Sequence, residues 1–276
     1  MANGRDETKA PVSESSAWQD VSGTLSLIVE AALVVVNLFP ILVVLRGKKV
    51  KERTVTDELV LALSITDILG VLVPTPIALM SYFDQHWQGG YETCIFFQVT
   101  TQCFQTVSIL LVTYMCLDRF LVLRKALYYK ATGVYSADKV KFFVLILYGV
   151  SLVVGSMPVS GLAPVPASRN SCESWITAMP ATRMQATFYL TVLSLGYLNM
   201  FIVILLNICV ISMVWKLKRK MQPLRGRSVA NHIPELQIER KTIFEYSWMT
   251  LTVAVLFYLT WFPALVSIHS FTNFIT

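Results

Sequence analysis

Chemistry in this chain is concentrated in a few polar side chains set inside long apolar runs. Glu30, Asp67 and Asp118 are carboxylates flanked by Leu, Val and Ile, and an ionised group in hydrocarbon costs several kcal/mol unless it is paired, hydrated or given a task. Asp67 sits mid-run with Ser64 and Thr66 beside it, and Asn37, Ser108 or a bound cation could answer it. The plainer reading of Asp67 is a buried hydrogen-bond network that packs helices. Glu30 lies near one end of its run, where a carboxylate reaches interfacial water, and that reading is preferred to ligand contact. Asp118 is followed directly by Arg119, so a charge-assisted pair can form without outside help.

A second constellation is uncharged. Gln98, Thr101, Gln102, Gln105 and Ser108 are spaced at three and four, which places them on one face of a helix. They are candidates for ligand contact because they donate and accept hydrogen bonds without a fixed charge; hydrogen bonding between helices is the alternative. Catalytic constellations are weak. Ser151 follows Gly149-Val150 in mid-run while His269 lies at the edge of another, so nucleophile and base are at different depths. Gly149 and Ser151 read better as small packing residues. The three histidines are scattered and no metal motif or phosphate loop occurs. The expectation is a protein that is not an enzyme and carries no cofactor.

The elements that must hold these residues follow from their surroundings. Of 276 residues, 55% are hydrophobic and 14% charged, and mean hydropathy is +0.59. The apolar residues are blocked at about 22–45, 57–82, 92–118, 142–162, 186–214 and 246–270. Each block reaches the roughly 20 residues that a helix needs to cross a bilayer. None alternates with the two-residue period of a barrel wall. The fold class expected is therefore all-α, a bundle of six transmembrane helices over 22–270. A polar tail over 1–21 lacks the basic and cleavable parts of a signal peptide and is expected to be retained.

Orientation comes from the basic residues. Nineteen of the 23 Lys and Arg fall in the first, third and fifth connections, from Arg46 to Arg53, Arg119 to Lys141 and Lys216 to Lys241. Basic connections stay on the cytoplasmic side, so the N-terminus is expected outside, 215–245 forms the third inner loop, and 271–276 begins the third outer loop. The same placement accounts for the net charge of +6 through topology and anionic lipid heads rather than nucleic acid. Cys94 and Cys172 then both face an oxidising compartment. A bridge between them would pin the loop after span four over the bundle mouth; two free thiols is the alternative, since spacing alone does not prove pairing. Cys103, Cys116 and Cys209 lie at membrane depth and read as inert thiols.

Cys94 and Arg119 stand on one long helix with Asp118-Arg119-Phe120 at its inner end, and this resembles the Cys-to-Asp-Arg-Tyr pattern of rhodopsin-like G-protein-coupled receptors. Leu63-Ser64-Ile65-Thr66-Asp67 is similar to the family's second-helix motif, Asn37 to its first-helix Asn, and Phe257–Pro263 to its sixth-helix Phe-x-x-Cys-Trp-x-Pro. Phe120–Tyr129 follows its second inner loop, with Ala126 in place of the usual Pro and Leu127 as the apolar plug. The resemblance implies an extracellular small-molecule or lipid ligand, a heterotrimeric G protein and a multi-pass plasma-membrane location. It implies that Arg119, with Leu127, meets the G protein, that Asp67 and Ser108 belong to a sodium pocket, that Trp261 floors the ligand cavity, and that Pro263 kinks a moving sixth helix.

Within the family, Thr66–Gly70, Pro76, Trp87 and Asn207-Ile208-Cys209 look most like the prostanoid receptor branch, although Ser171–Trp175 departs from that branch's outer loop. Thr101, where amine receptors keep an Asp, offers an ammonium no counter-charge at that position. Other departures from the family pattern are the absence of a mid-span proline in span five, of the usual Trp in span four, and of an acid at the family's usual lock position near Ile243. No seventh helix follows the sixth, so the expectation is seven helices with one missing, in a fragment or a truncated isoform that does not signal. A transporter is disfavoured because the halves show no repeat, and an intramembrane protease because of the Ser151–His269 mismatch.

Overall fold

In the computed structural model, the described residues are 12–47, 49, 53–84, 86–87, 89–128, 137–162, 167–168, 171–172 and 182–221. The sixth apolar block at 246–270, with Trp261 and Pro263, lies outside them. The helices are α1 (Val12–Gly47), α2 (Val55–Leu72), α3 (Thr75–Phe83), α4 (Gly90–Tyr128), α5 (Ala137–Ser156) and α6 (Arg183–Met221). A strand pair, β1 (Ala167–Ser168) and β2 (Ser171–Cys172), is antiparallel. Among the described residues five segments are long and apolar enough to cross a membrane, Val21–Gly47, Val55–Phe83, Gly90–Arg124, Lys139–Ser160 and Arg183–Lys216.

Two boundaries differ from expectation. Helix α1 starts at Val12, inside the stretch read as a tail, because nothing from Ser13 to Ser22 breaks a helix and backbone hydrogen bonds need no lipid to form. The second span is not one helix. Pro74 and Pro76 lack the N–H groups that would reach back to Gly70 and Leu72, so the ladder parts at Val73–Pro74 and restarts as α3. The start of α2 is set by a capping box: Asp57 N–H donates to Thr54 Oγ1 at 3.3 Å, and Thr54 N–H donates to Asp57 Oδ2 at 2.8 Å. At the other side, α5 passes into a 3₁₀ turn (Met157–Ser160) that Gly161 closes in the left-handed conformation at φ +83°.

Helix α4 is the centre of the bundle. It packs against α2, α5 and α6, and 44% of its most apolar window is buried, against 6% for α1. Val107, Leu111 and Met115 of α4 meet Leu59 and Val60 of α2 and Val140 of α5 in one cluster; Val112 and Cys116 meet Val203 of α6 in another. Outward residues such as Phe39, Phe142 and Leu145 are large, apolar and exposed, which suits a lipid-facing surface. Small residues permit close approach, though not all those expected. A Cβ at Gly155 would lie 3.0 Å from Val99 O, and Ser151 is wholly buried, whereas Gly149 faces open space. The packing pair of α5 is therefore Ser151 and Gly155.

Candidate ligand cavity and switch residues

The ends of the bundle are best named by α4, which carries Cys94 near its start and Arg119 near its finish. At the Cys94 end, Cys94 and Cys172 form a disulfide with Cα atoms 5.6 Å apart. The bridge holds β2 to α4, so the predicted pinning of this loop is present. Trp87 fixes the approach to the same helix by donating from Nε1 to Gly90 O at 2.7 Å and stacking near Phe97 at 5.9 Å between ring centres.

A cavity of about 520 Å³ lies between α1, α2, α3 and α4, within the range of small-molecule sites. Ser26 and Glu30 of α1, Tyr82 of α3, and Thr101 and Gln105 of α4 supply its polar wall. Glu30 accepts a long hydrogen bond from Ser26 Oγ at 3.4 Å. It is half-exposed and lies along the cavity edge. Thr101 Oγ1 is buried with no hydrogen-bond partner among the described residues.

The polar face expected on α4 divides. Thr101 and Gln105 line the cavity, but Gln98 is buried against the disulfide, its Nε2 at 3.8 Å from Cys94 Sγ and 4.0 Å from Cys172 Sγ. Gln102 turns along its own helix and donates to Thr106 Oγ1 at 3.3 Å. Gln98 and Gln105 point nearly the same way but lie about 10 Å apart along the axis, so one face meets the disulfide at one level and the cavity at another. Ser108, one turn deeper, donates to Asp67 Oδ1 at 2.7 Å. Asn37 donates to Leu33 O at 3.0 Å, within its own helix; of the partners considered for Asp67, Ser108 is the one in place.

At the Arg119 end, Arg119 and Asp118 are both buried and their charged groups stand 3.8 Å apart. Phe120 is half-buried beside them; the side chain of Leu127 lies outside the described residues. Sequence reasoning missed a neighbouring acid. Glu58 is buried with Lys141 at 3.6 Å and Arg53 at 3.9 Å, tying α2 to α5. Its position one residue after a capping Asp disguised it as part of a helix start. Also missed were the mid-span links Thr113 Oγ1 to Asn199 Oδ1 at 3.0 Å and Asn207 Nδ2 to Cys116 Sγ at 3.4 Å, which join α4 to α6, and the hydroxyl contact of Thr66 with Tyr148. Asn and Thr at membrane depth were the available signal. Among the described residues no group of three or more His, Cys, Asp or Glu could hold a metal ion.

A central helix tied to a strand pair by a disulfide, a cavity bordered by α1 to α4 and an Asp-Arg pair at the far end of that helix belong to a helical membrane bundle. The family model described as "7 transmembrane receptor (rhodopsin family)" matches residues 36–274, and the chain belongs to that family. It is a multi-pass plasma-membrane receptor, and the relatives it matches are not enzymes. Squid rhodopsin shares the fold, with a TM-score of 0.74 at 17% identity over 96% of this chain and 74% of that one. The prostanoid likeness read from the sequence is met by the Bos taurus prostaglandin E2 receptor EP4 subtype, 27% identical over 122 residues, 44% of this chain and 25% of that protein. The Homo sapiens EP4 subtype is 29% identical over 96 residues, 35% of this chain and 20% of that protein. Protein trapped in endoderm-1 of Drosophila melanogaster is 25% identical over 126 residues, 46% of this chain and 31% of that protein. The matches span about a third or less of these curated relatives.

Proposed function

We propose that this receptor binds an extracellular small ligand, a lipid mediator of the prostanoid kind, in the cavity at the Cys94 end and activates a heterotrimeric G protein at the Arg119 end. The observation that carries this reading is the continuity of α4, which supplies Thr101 and Gln105 to the cavity and Asp118 and Arg119 to the opposite mouth. The basic connections put the Arg119 end in the cytoplasm. The prostanoid class rests on the EP4 relatives.

Activation would part Asp118 from Arg119 and free the guanidinium, with Phe120 and Leu127 nearby, for the G protein. Trp261 and Pro263 are assigned to the cavity floor and to the kink of the sixth helix by resemblance. Asp67 and Ser108 would offer two oxygens to a sodium ion, and hard cations take about six, so the pair alone is not a complete shell.

The test is guanine-nucleotide exchange on purified heterotrimers by the receptor in nanodiscs, with a panel of prostaglandins as probes. A responding probe should lose its effect in Arg119→Ala while still binding. Unchanged exchange in that variant overturns the coupling role, and silence towards every prostaglandin overturns the ligand class.

A further inference from the structure

Two consecutive residues of α2 reach for two different helices. Asp67 accepts from Ser108 Oγ of α4 at 2.7 Å, while Thr66, wholly buried, meets the hydroxyl of Tyr148 of α5. Neighbouring side chains on a helix point about 100° apart, so this pair fixes the rotation of α2 against both helices at one level.

The direction of the bonds follows from the hydrogens. Thr66 Oγ1 donates to Ala62 O, one turn back, at 2.7 Å, and a hydroxyl has one hydrogen to give. Tyr148 is therefore the donor and Thr66 the acceptor, in a chain that runs from α5 through Thr66 to the backbone of α2. Bonds in such a chain polarise and strengthen one another. A Thr that bonds back to the carbonyl four residues earlier also bends its helix slightly. By holding Thr66 in that rotamer, Tyr148 holds the bend in the turn that leads to Asp67. The ring of Tyr148 is anchored separately, packed against the cluster that contains Leu59, Val107 and Leu111. Hydroxyl and ring thus have separable tasks.

We propose that Tyr148 is a positioning residue for Asp67: by fixing Thr66 it aims the Asp67 carboxylate at Ser108, and so couples α5 to α4 through α2. The family resemblance assigns Asp67 and Ser108 to an ion pocket and gives Tyr148 no part in it. The same helix α5 exposes Phe142 and Leu145 to lipid, so the element that sets the aim of a buried carboxylate also faces the membrane. This goes beyond the ligand-receptor reading and does not depend on it.

The experiment uses the full chain in nanodiscs. Tyr148→Phe keeps the ring and removes the hydroxyl, Thr66→Val keeps the shape and removes the acceptor, and Ser108→Ala removes the donor to Asp67. Each should lower the unfolding midpoint. Tyr148→Phe combined with Ser108→Ala should lower it by less than the two separate shifts together, because the first change has already loosened the bond that the second removes. In a Thr66→Val background the same two shifts should add, whereas Thr66→Ser, which keeps a hydroxyl, should preserve the non-additivity. The second readout is infrared. The Asp67 carboxyl band, identified by its loss in Asp67→Asn, should move in Tyr148→Phe in the direction that it moves in Ser108→Ala. Additive shifts in the protein that retains Thr66, or an unmoved band in Tyr148→Phe, overturn the proposal, and non-additivity that survives Thr66→Val overturns the route through Thr66. Neither readout needs a ligand or a G protein, so failed nucleotide exchange would count against the receptor mechanism and leave the positioning role standing.

Discussion

The two ends of the bundle treat polar groups in opposite ways. At the Arg119 end the charges are answered from within: Asp118 by Arg119 at 3.8 Å, and Glu58 by Lys141 at 3.6 Å and Arg53 at 3.9 Å. At the Cys94 end half-exposed Glu30 accepts from Ser26 Oγ at 3.4 Å, and Thr101 Oγ1 has no hydrogen-bond partner among the described residues. Ion pairs between α2, α4 and α5 hold one end by charge, whereas hydroxyls and a lone carboxylate border open space at the other. The difference gives each end its own job, with α4 as the element common to both.

The comparison can be broken first at the disulfide. Replacing Cys94 and Cys172 together by Ser frees a 78-residue separation that the disulfide now closes, and should destabilise the receptor by about 2–5 kcal/mol, read as lost surface expression and a lower unfolding midpoint. Next comes Glu58→Ala, which leaves Arg53 and Lys141 without their carboxylate; because Lys141 is 43% exposed, the expected cost is about 1–2 kcal/mol. Substituting Gly155 by Val should force α4 and α5 apart at Val99 and Cys103, at about 1–3 kcal/mol in thermal unfolding. The smallest effect is expected from the Thr113–Asn199 link. A double-mutant cycle with Thr113→Val and Asn199→Ala should return a coupling of about 0.6 kcal/mol, and a value near zero would mean that this link adds nothing to the packing of α4 on α6.

The first five helices were legible because blocks of apolar residues have one solution in lipid. The exception shows the limit. The block at 57–82 reads as continuous, yet Pro74 and Pro76 divide it, since hydropathy counts side chains and says nothing of missing N–H groups. The site was legible where a partner sits on the same helix, as with Asp118 and Arg119, or where one spacing meets one depth, as with Asp67 and Ser108. It was illegible where the answer depends on how two helices rotate against each other. Glu30 has the same sequence context whether it turns to lipid heads or to a cavity, and Glu58 finds Lys141 across 83 positions only once α2 and α5 are packed.

The absence of proline and of interior glycine from Tyr91 to Tyr128 has a mechanical consequence. The second span is jointed at Val73–Pro74, α1 contains Pro40, and α5 gives way at Ser156 to a turn that contains Pro158, but the rod from Cys94 to Arg119 has no such joint. At about 1.5 Å per residue, roughly 37 Å separate those two side chains along one stiff axis. With Cys172 bolted to its top, the strand pair cannot shift independently of that rod. A reporter dye on the strand pair would therefore register tilts whose other terminus is the guanidinium of Arg119.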